Sequence, residues 1–174
     1  MNLDKTALAN WLSSHGLPME VIIFLFAMTP IFELRGAIPV AAIFGVNIAI
    51  WKIYLIAVIG NMIPVLPILL LLEPVSNFLS EHSKIFDRFF EWLFNRTKRK
   101  IESKIEKYGA LGLMVFVAIP LPVTGAWTGC IAAFLFGIRP RYAFPAILAG
   151  VMIAGVVVSV VTYGASSVFR IFLS

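Results

Sequence analysis

Apolar residues dominate the chain in blocks of two lengths, and short polar breaks separate the blocks. The runs at 53–72 and 142–169 are long enough to cross a membrane, which takes about 20 predominantly apolar residues. The shorter runs come in two pairs: 18–29 with 37–50, and 109–119 with 126–138. Short runs joined by a polar break favour re-entrant helical hairpins, which enter and leave the bilayer on one face.

This pattern predicts an all-α integral membrane protein with one domain. Each half of the chain contributes a re-entrant hairpin and a transmembrane helix, and amphipathic helices lie on the membrane surface. The predicted parts are an interfacial helix at 1–16, hairpin 1 at 18–50, a transmembrane helix at 51–73, a basic amphipathic insert at 74–108, hairpin 2 at 109–138 and a second transmembrane helix at 139–174.

A weak internal repeat relates the two halves. Pro30 and the Phe-Gly-Val segment 44–46 recur as Pro122 and the Phe-Gly-Ile segment 136–138 at one constant offset. If each half crosses the membrane once, the second half is inverted relative to the first. Inverted repeats with broken helices at the midplane are the architecture of many secondary transporters.

Composition and charge support a membrane setting. Hydrophobic residues make up 60% of the chain and charged residues 13%, against about 25% charged in soluble domains. Much of the net charge of +5 falls in the insert at 74–108, which predicts that this segment faces the cytoplasm beside anionic lipids. No stacking or groove-reading motif accompanies the charge, so we do not expect nucleic-acid binding. The expected location is the plasma membrane.

Glu33 and Arg35 are the strongest functional candidates, because a charge at membrane depth costs at least about 2.5 kcal/mol on insertion scales. Glu33 is a candidate proton carrier, and the forked donors of Arg35 suit an anion such as phosphate. Two alternatives remain open: a structural ion pair that pins the hairpin tip, or charges that lie at the surface. Gly36 and Pro39 belong to the same break, and Asn61 is expected to hydrogen-bond to backbone released by the breaks.

The second break, at 120–129, carries no charge. The start of the following helix offers a partial positive charge to an anion. For Thr124, an N-cap role and direct ligand contact are equally open. The candidate residues of this break are Pro120, Pro122, Thr124, Gly125, Trp127, Thr128 and Gly129. Arg139 and Arg141 follow the positive-inside bias or receive a lipid head group at an entrance.

Other chemistry finds little support in the sequence. The only cysteine, Cys130, lies in an apolar run, so one chain has neither a disulfide framework nor a cysteine metal site. No spacing matches a metal site, a P-loop or a nucleophile with its base. We therefore expect neither a cofactor nor an enzyme.

The two breaks resemble the signature stretches of the small multidrug export protein family. The resemblance rests on segments 32–39 (Phe-Glu-Leu-Arg-Gly-Ala-Ile-Pro) and 120–129 (Pro-Leu-Pro-Val-Thr-Gly-Ala-Trp-Thr-Gly), and it extends over nearly the whole chain. The layout is also similar to the wider DedA (VTT-domain) superfamily, which is associated with proton-dependent transport and lipid translocation. That resemblance implies that Glu33 is the acid of the first hairpin. Val117 and Val123 stand where that superfamily carries arginines.

These features lead to one main expectation and two alternatives. The main one is a DedA-like, proton-coupled transporter that moves an amphipathic, phosphate-bearing lipid such as polyprenyl phosphate, through a cavity where the hairpin tips meet. The alternatives are an exporter of cationic drugs, in which Glu33 binds the cation, and a non-transporting membrane scaffold. The expected partners are membrane lipids, protons and further copies of the chain, since Gly150 and Ala154 permit close helix packing.

Overall fold

The computed structural model describes residues 18–44, 48–82, 103–120 and 124–173, and the regular elements in these ranges are α-helices. In chain order they are α1 (Met19–Met28), α2 (Glu33–Ile43), α3 (Ile50–Met62), α4 (Val65–His82), α5 (Ser103–Ala118), α6 (Ala126–Leu135) and α7 (Pro140–Leu173). The all-α prediction is confirmed for these residues. The predicted interfacial helix at 1–16, the centre of the basic insert and Pro122 lie outside them.

Two stretches are long and apolar enough to cross a membrane, as the hydropathy pattern predicts. They are Ile50–Leu72, with 23 residues, and Pro140–Gly164, with 25 residues. The first is interrupted between α3 and α4 at a turn that contains Pro64. Because proline has no N–H, the carbonyl of Gly60 loses its usual helical donor there. The helix is therefore interrupted where the sequence places a proline.

Helix ends do not follow the changes of polarity around the basic insert. The sequence places the end of the first crossing at residue 73, but α4 continues to His82. It places the start of hairpin 2 at residue 109, but α5 already begins at Ser103. Hydropathy reports where the surroundings of a helix change, whereas the backbone can remain helical across that change.

The first compact unit consists of residues up to Met62 together with Met152 onward. In it α1 and α2 pack against each other and both pack against α3. Contact between α1 and α3 is closest at Gly60, where an added Cβ would lie 2.7 Å from the carbonyl oxygen of Phe24. Only a glycine lets the two backbones approach this far. Gly60 therefore seats hairpin 1 on the long helix that follows it.

The second compact unit runs from Ile63 to Val151. Here α6 packs against α4 and α5. A second close approach joins α5 to α7: a Cβ on Gly150 would lie 2.7 Å from the carbonyl oxygen of Met114 and 2.7 Å from the Cβ of Val117. Each hairpin is thus held by a glycine on a later long helix, which meets a backbone carbonyl of the first helix of that hairpin.

The end of α6 explains one member of the repeated Phe-Gly segment. Gly137 has a φ of 65°, the left-handed conformation that favours glycine. Its N–H donates to the Phe134 carbonyl at 3.0 Å, and the Ile138 N–H donates to the Ala133 carbonyl at 2.8 Å. This pair of bonds is the Schellman motif, which stops the helix and turns the chain toward α7.

Candidate functional site

The break between α1 and α2 is an ordered turn. The Thr29 hydroxyl donates to the carbonyl of Phe26 at 2.8 Å and accepts from the N–H of Phe32 at 3.3 Å. The rings of Phe26 and Phe32 lie 4.9 Å apart between centroids. The Thr29 side chain therefore bridges the break, and the contact between the Phe26 and Phe32 rings holds its two sides together.

Glu33 opens α2 in an unusual conformation. Its side chain is 6% exposed, and its φ of 47° is the one positive value at a non-glycine residue in the described ranges. Its N–H donates to the Thr29 carbonyl at 3.0 Å. A non-glycine residue in this region costs of order 1–3 kcal/mol and persists only when its surroundings impose it. Such residues cluster at functional sites, which supports Glu33 as the centre of this one.

Arg35 lies two residues further along α2 and is half-buried. The Glu33 carboxylate acts on its guanidinium electrostatically, so the two charges belong to one group. Pro39 has no N–H to donate to the Arg35 carbonyl, which weakens the helix at this point. Gly36 leaves room for the turn, because a Cβ there would lie 2.8 Å from the Cβ of Phe32.

Asn61 adds a buried polar group near the end of α3. It is 1% exposed, and its Oδ1 has no hydrogen-bond partner among the described residues. The sequence predicts that this side chain satisfies backbone groups released by the breaks. The carbonyl oxygen of the amide does not do so, and it stays an unused buried acceptor.

The break between α5 and α6 is neutral and is bridged differently. The Thr124 hydroxyl donates to the carbonyl of Ile119 at 2.7 Å, so it closes the turn back onto the end of α5. The residue at the N-cap of α6 is Gly125, in extended backbone and without a side-chain capping bond. Of the two roles left open for Thr124, the N-cap position of α6 is occupied by Gly125 instead.

The remaining residues of the second break line the first turn of α6. The Thr128 hydroxyl donates to the Gly125 carbonyl at 3.3 Å. Gly129 is buried, and a Cβ there would lie 2.7 Å from Val117. Trp127 is half-buried. These contacts pack α6 against α5, a structural role for at least part of this candidate set.

The predicted entrance residues are exposed. Arg139 and Arg141 lie at the turn from α6 to α7, and the Arg141 guanidinium stacks 4.7 Å above the ring of Tyr142. Pro120 is exposed after the end of α5. The first compact unit holds Glu33, Arg35, Gly36, Pro39 and Asn61, and the second holds Pro120, Thr124, Gly125, Trp127, Thr128, Gly129, Arg139 and Arg141.

Two residues near the first site escaped the sequence analysis. Gly60 is the one glycine in the apolar run at 53–72, a signal that could have marked it as a close-packing position. Tyr54 donates a hydrogen bond to the Met152 carbonyl at 3.1 Å, and its ring fills the space beside Gly155. Nothing in the sequence distinguishes Tyr54 from other aromatic residues of the apolar runs.

Comparison with known proteins gives one match. The sequence model of the family described as "Putative small multi-drug export protein" matches residues 33–157, well over half of the chain. The match begins at Glu33, the first residue of α2, and includes the second break. No curated protein and no solved structure matches significantly.

Proposed function

The chain belongs to the small multi-drug export protein family, and on this premise we propose that it is a proton-coupled membrane transporter centred on Glu33 and Arg35. One observation supports this proposal most: a nearly buried carboxyl is held in backbone that only glycine adopts without strain. A protein that needed only a turn here would carry glycine. The retained carboxyl instead suggests chemistry.

Glu33 has the surroundings of a proton carrier. Burial favours the neutral acid, whereas the guanidinium of Arg35 favours the carboxylate. The balance between these opposing influences on the protonation of Glu33 can change as the site opens to water on one side or the other. In the proposed cycle Glu33 takes up a proton on one side and releases it on the other.

Arg35 is our candidate for substrate recognition. It is less buried than Glu33, and its planar guanidinium binds the oxygens of a phosphate through two parallel hydrogen bonds. An amphipathic lipid with a phosphate head group, such as polyprenyl phosphate, fits this chemistry. Its apolar chain can remain in the bilayer while the head group reaches the break.

A second candidate, export of cationic drugs, is favoured by the family description. Glu33 would bind the cation and exchange it for a proton. The nearby charge of Arg35 opposes this arrangement, because two like charges a few ångströms apart repel even in a polar environment. We therefore rank it second.

The proposed layout keeps both hairpins re-entrant and the two halves inverted, as in the DedA superfamily. Three of the four hairpin helices, α1, α2 and α6, have only 10, 11 and 10 residues. At 1.5 Å per residue they extend about 15 Å, half of a hydrocarbon core of about 30 Å. The positive-inside bias then orients the basic insert toward the cytoplasm.

The test is transport in liposomes that contain a labelled polyprenyl phosphate, with and without a pH gradient. Glu33→Gln should lose gradient-driven movement by at least about 100-fold, which corresponds to about 2.7 kcal/mol. Arg35→Ala should weaken substrate binding by about 10- to 100-fold. Glu20→Gln and Lys52→Gln remove exposed charges from α1 and α3, and they should behave as wild type.

The outcomes separate the three expectations. Unchanged transport in both site variants would contradict the proposal. Movement of a cationic dye in place of the lipid, lost in Glu33→Gln, would establish the second candidate. A folded wild type that moves neither substrate would favour the membrane scaffold.

A further inference from the structure

The C-terminal end of α3 carries a buried side-chain oxygen that lacks a donor among the described residues. Asn61 is 1% exposed, and its Oδ1 accepts no hydrogen bond from the described residues. One residue earlier, the Gly60 carbonyl has lost its helical donor because position 64 is proline. Leaving a buried acceptor unsatisfied costs about 1–3 kcal/mol. The unsatisfied Asn61 oxygen therefore indicates that a group other than the described residues satisfies it, next to a carbonyl that lacks its usual helical donor.

The electrostatics of this end favour a cation. The last carbonyls of a helix carry a partial negative charge, equivalent to about half an elementary charge. Asn61 belongs to the last turn of α3, and its side-chain oxygen adds a second dipole to this end of the helix. In transporters with broken helices, unwound carbonyls and helix C-terminal ends are the groups that coordinate the coupling ion.

We propose that the end of α3 binds a dehydrated monovalent cation of the size of Na⁺, with the Asn61 Oδ1 and the Gly60 carbonyl among its ligands. Neutral oxygen ligands suit a single positive charge, because a divalent ion in an apolar setting needs carboxylates for neutralisation. The charge of Glu33 is offset by Arg35, so the proposed cation site does not depend on the Glu33 carboxyl. The proposal of a cation site goes beyond the proposed function, because ion binding can be measured without transport.

The experiment measures ion binding by the purified full-length chain in detergent. The melting temperature is followed as NaCl replaces N-methylglucamine chloride at constant ionic strength, and ²³Na NMR line broadening reports binding directly. We expect a saturable rise in melting temperature with Na⁺, because an ion that binds only the folded state stabilises it by mass action. The variant Asn61→Leu should bind Na⁺ at least about tenfold more weakly.

A matched control comes from the same compact unit. The Ser159 Oγ is also buried without a partner in the described ranges, but it lies on α7, away from the end of α3 in sequence. Ser159→Ala should keep the Na⁺ response of the wild type. If Ser159→Ala and Asn61→Leu retain the same response, or if the wild type shows none, the proposal is overturned.

A further variant covers the case in which Asn61→Leu does not fold. Asn61→Asp keeps the volume and adds a negative charge to the same oxygen position, so it should bind Na⁺ more tightly. An affinity equal to that of wild type would overturn the proposal. If a buried water molecule occupied the site in place of the ion, no variant would show a Na⁺-specific response. That outcome would also overturn the proposal. Loss of lipid transport with Na⁺ binding intact would contradict only the proposed function.

Discussion

The two breaks occupy corresponding places in the predicted internal repeat but use opposite combinations of residue and backbone. At the constant offset that relates Pro30 to Pro122, Glu33 corresponds to Gly125. Glu33 has a φ of 47°, which favours glycine, whereas Gly125 has extended backbone that any residue adopts. Backbone preference alone would place glycine at position 33 and a non-glycine residue at position 125. The first break therefore keeps its carboxyl against conformational preference, and the second has no such requirement.

The two hairpins are nevertheless assembled by similar contacts. In each unit, a glycine on a long helix leaves room for a backbone carbonyl of another helix to pack closely against it. The glycine is Gly60 in the first unit and Gly150 in the second. A threonine hydroxyl bridges each break, from Thr29 in the first and Thr124 in the second. The shared contacts are structural, and the charges are what distinguish the first hairpin.

The largest effects on stability should come from replacing Gly60 and Gly150, the two glycines at which helices pack most closely against a backbone carbonyl. Gly60→Ala and Gly150→Ala each place a methyl group 2.7 Å from a backbone oxygen, which forces the helices apart. Overpacking of this kind costs about 1–3 kcal/mol. We expect a similar loss from both variants, measured as the free energy of unfolding in detergent. A loss from only one of them would show that the hairpins are held differently.

Two other glycines provide the control for that prediction. An added Cβ at Gly112 or Gly164 would meet nothing within 4 Å, and both residues are helical. Alanine in a helix interior is favoured over glycine by roughly 0.5–1 kcal/mol. Gly112→Ala and Gly164→Ala should therefore be neutral or stabilising. Destabilisation there equal to that of Gly60→Ala would contradict the role of close packing.

Both bridging threonines should stabilise the fold measurably. Thr29→Val removes a bond to Phe26 and a bond from Phe32, and Thr124→Val removes at least the bond to Ile119. A typical hydrogen bond contributes about 0.5–1.5 kcal/mol, so we expect a loss of at least about 1 kcal/mol from each variant. The same unfolding assay measures them. An unchanged free energy of unfolding in either variant would contradict the bridging role of that hydroxyl.

The smallest effect isolates the backbone strain at Glu33. Glu33→Gly and Glu33→Ala both remove the carboxyl, but only glycine adopts a φ of 47° without strain. We expect Glu33→Gly to unfold with a free energy about 1 kcal/mol higher than Glu33→Ala. Alanine as the more stable of the two would mean that this conformation relaxes once the carboxyl is gone. Neither variant should transport.

The sequence predicts where the helices break, but not how each break is closed. Charge and proline mark the first break and proline marks the second, because these residues are costly in a buried helix. The positive φ of Glu33 leaves no such mark, since it is imposed by tertiary packing. The sequence leaves the role of Thr124 open for a related reason: its hydroxyl can reach either of two backbone groups, and only the fold selects the Ile119 carbonyl. Hydropathy likewise gives no sign that α4 is continuous past residue 73, because it does not register backbone geometry.

The seating of each hairpin has a consequence for the order of biosynthesis. Phe24 and Met114 leave the ribosome before Gly60 and Gly150, the residues that receive them. In the proposed re-entrant layout, the helix surface against which a nascent hairpin packs is therefore not yet synthesised when the hairpin emerges. Stable packing of the hairpin then requires the later helix. Each half of the chain should accordingly be inserted as a single cooperative step.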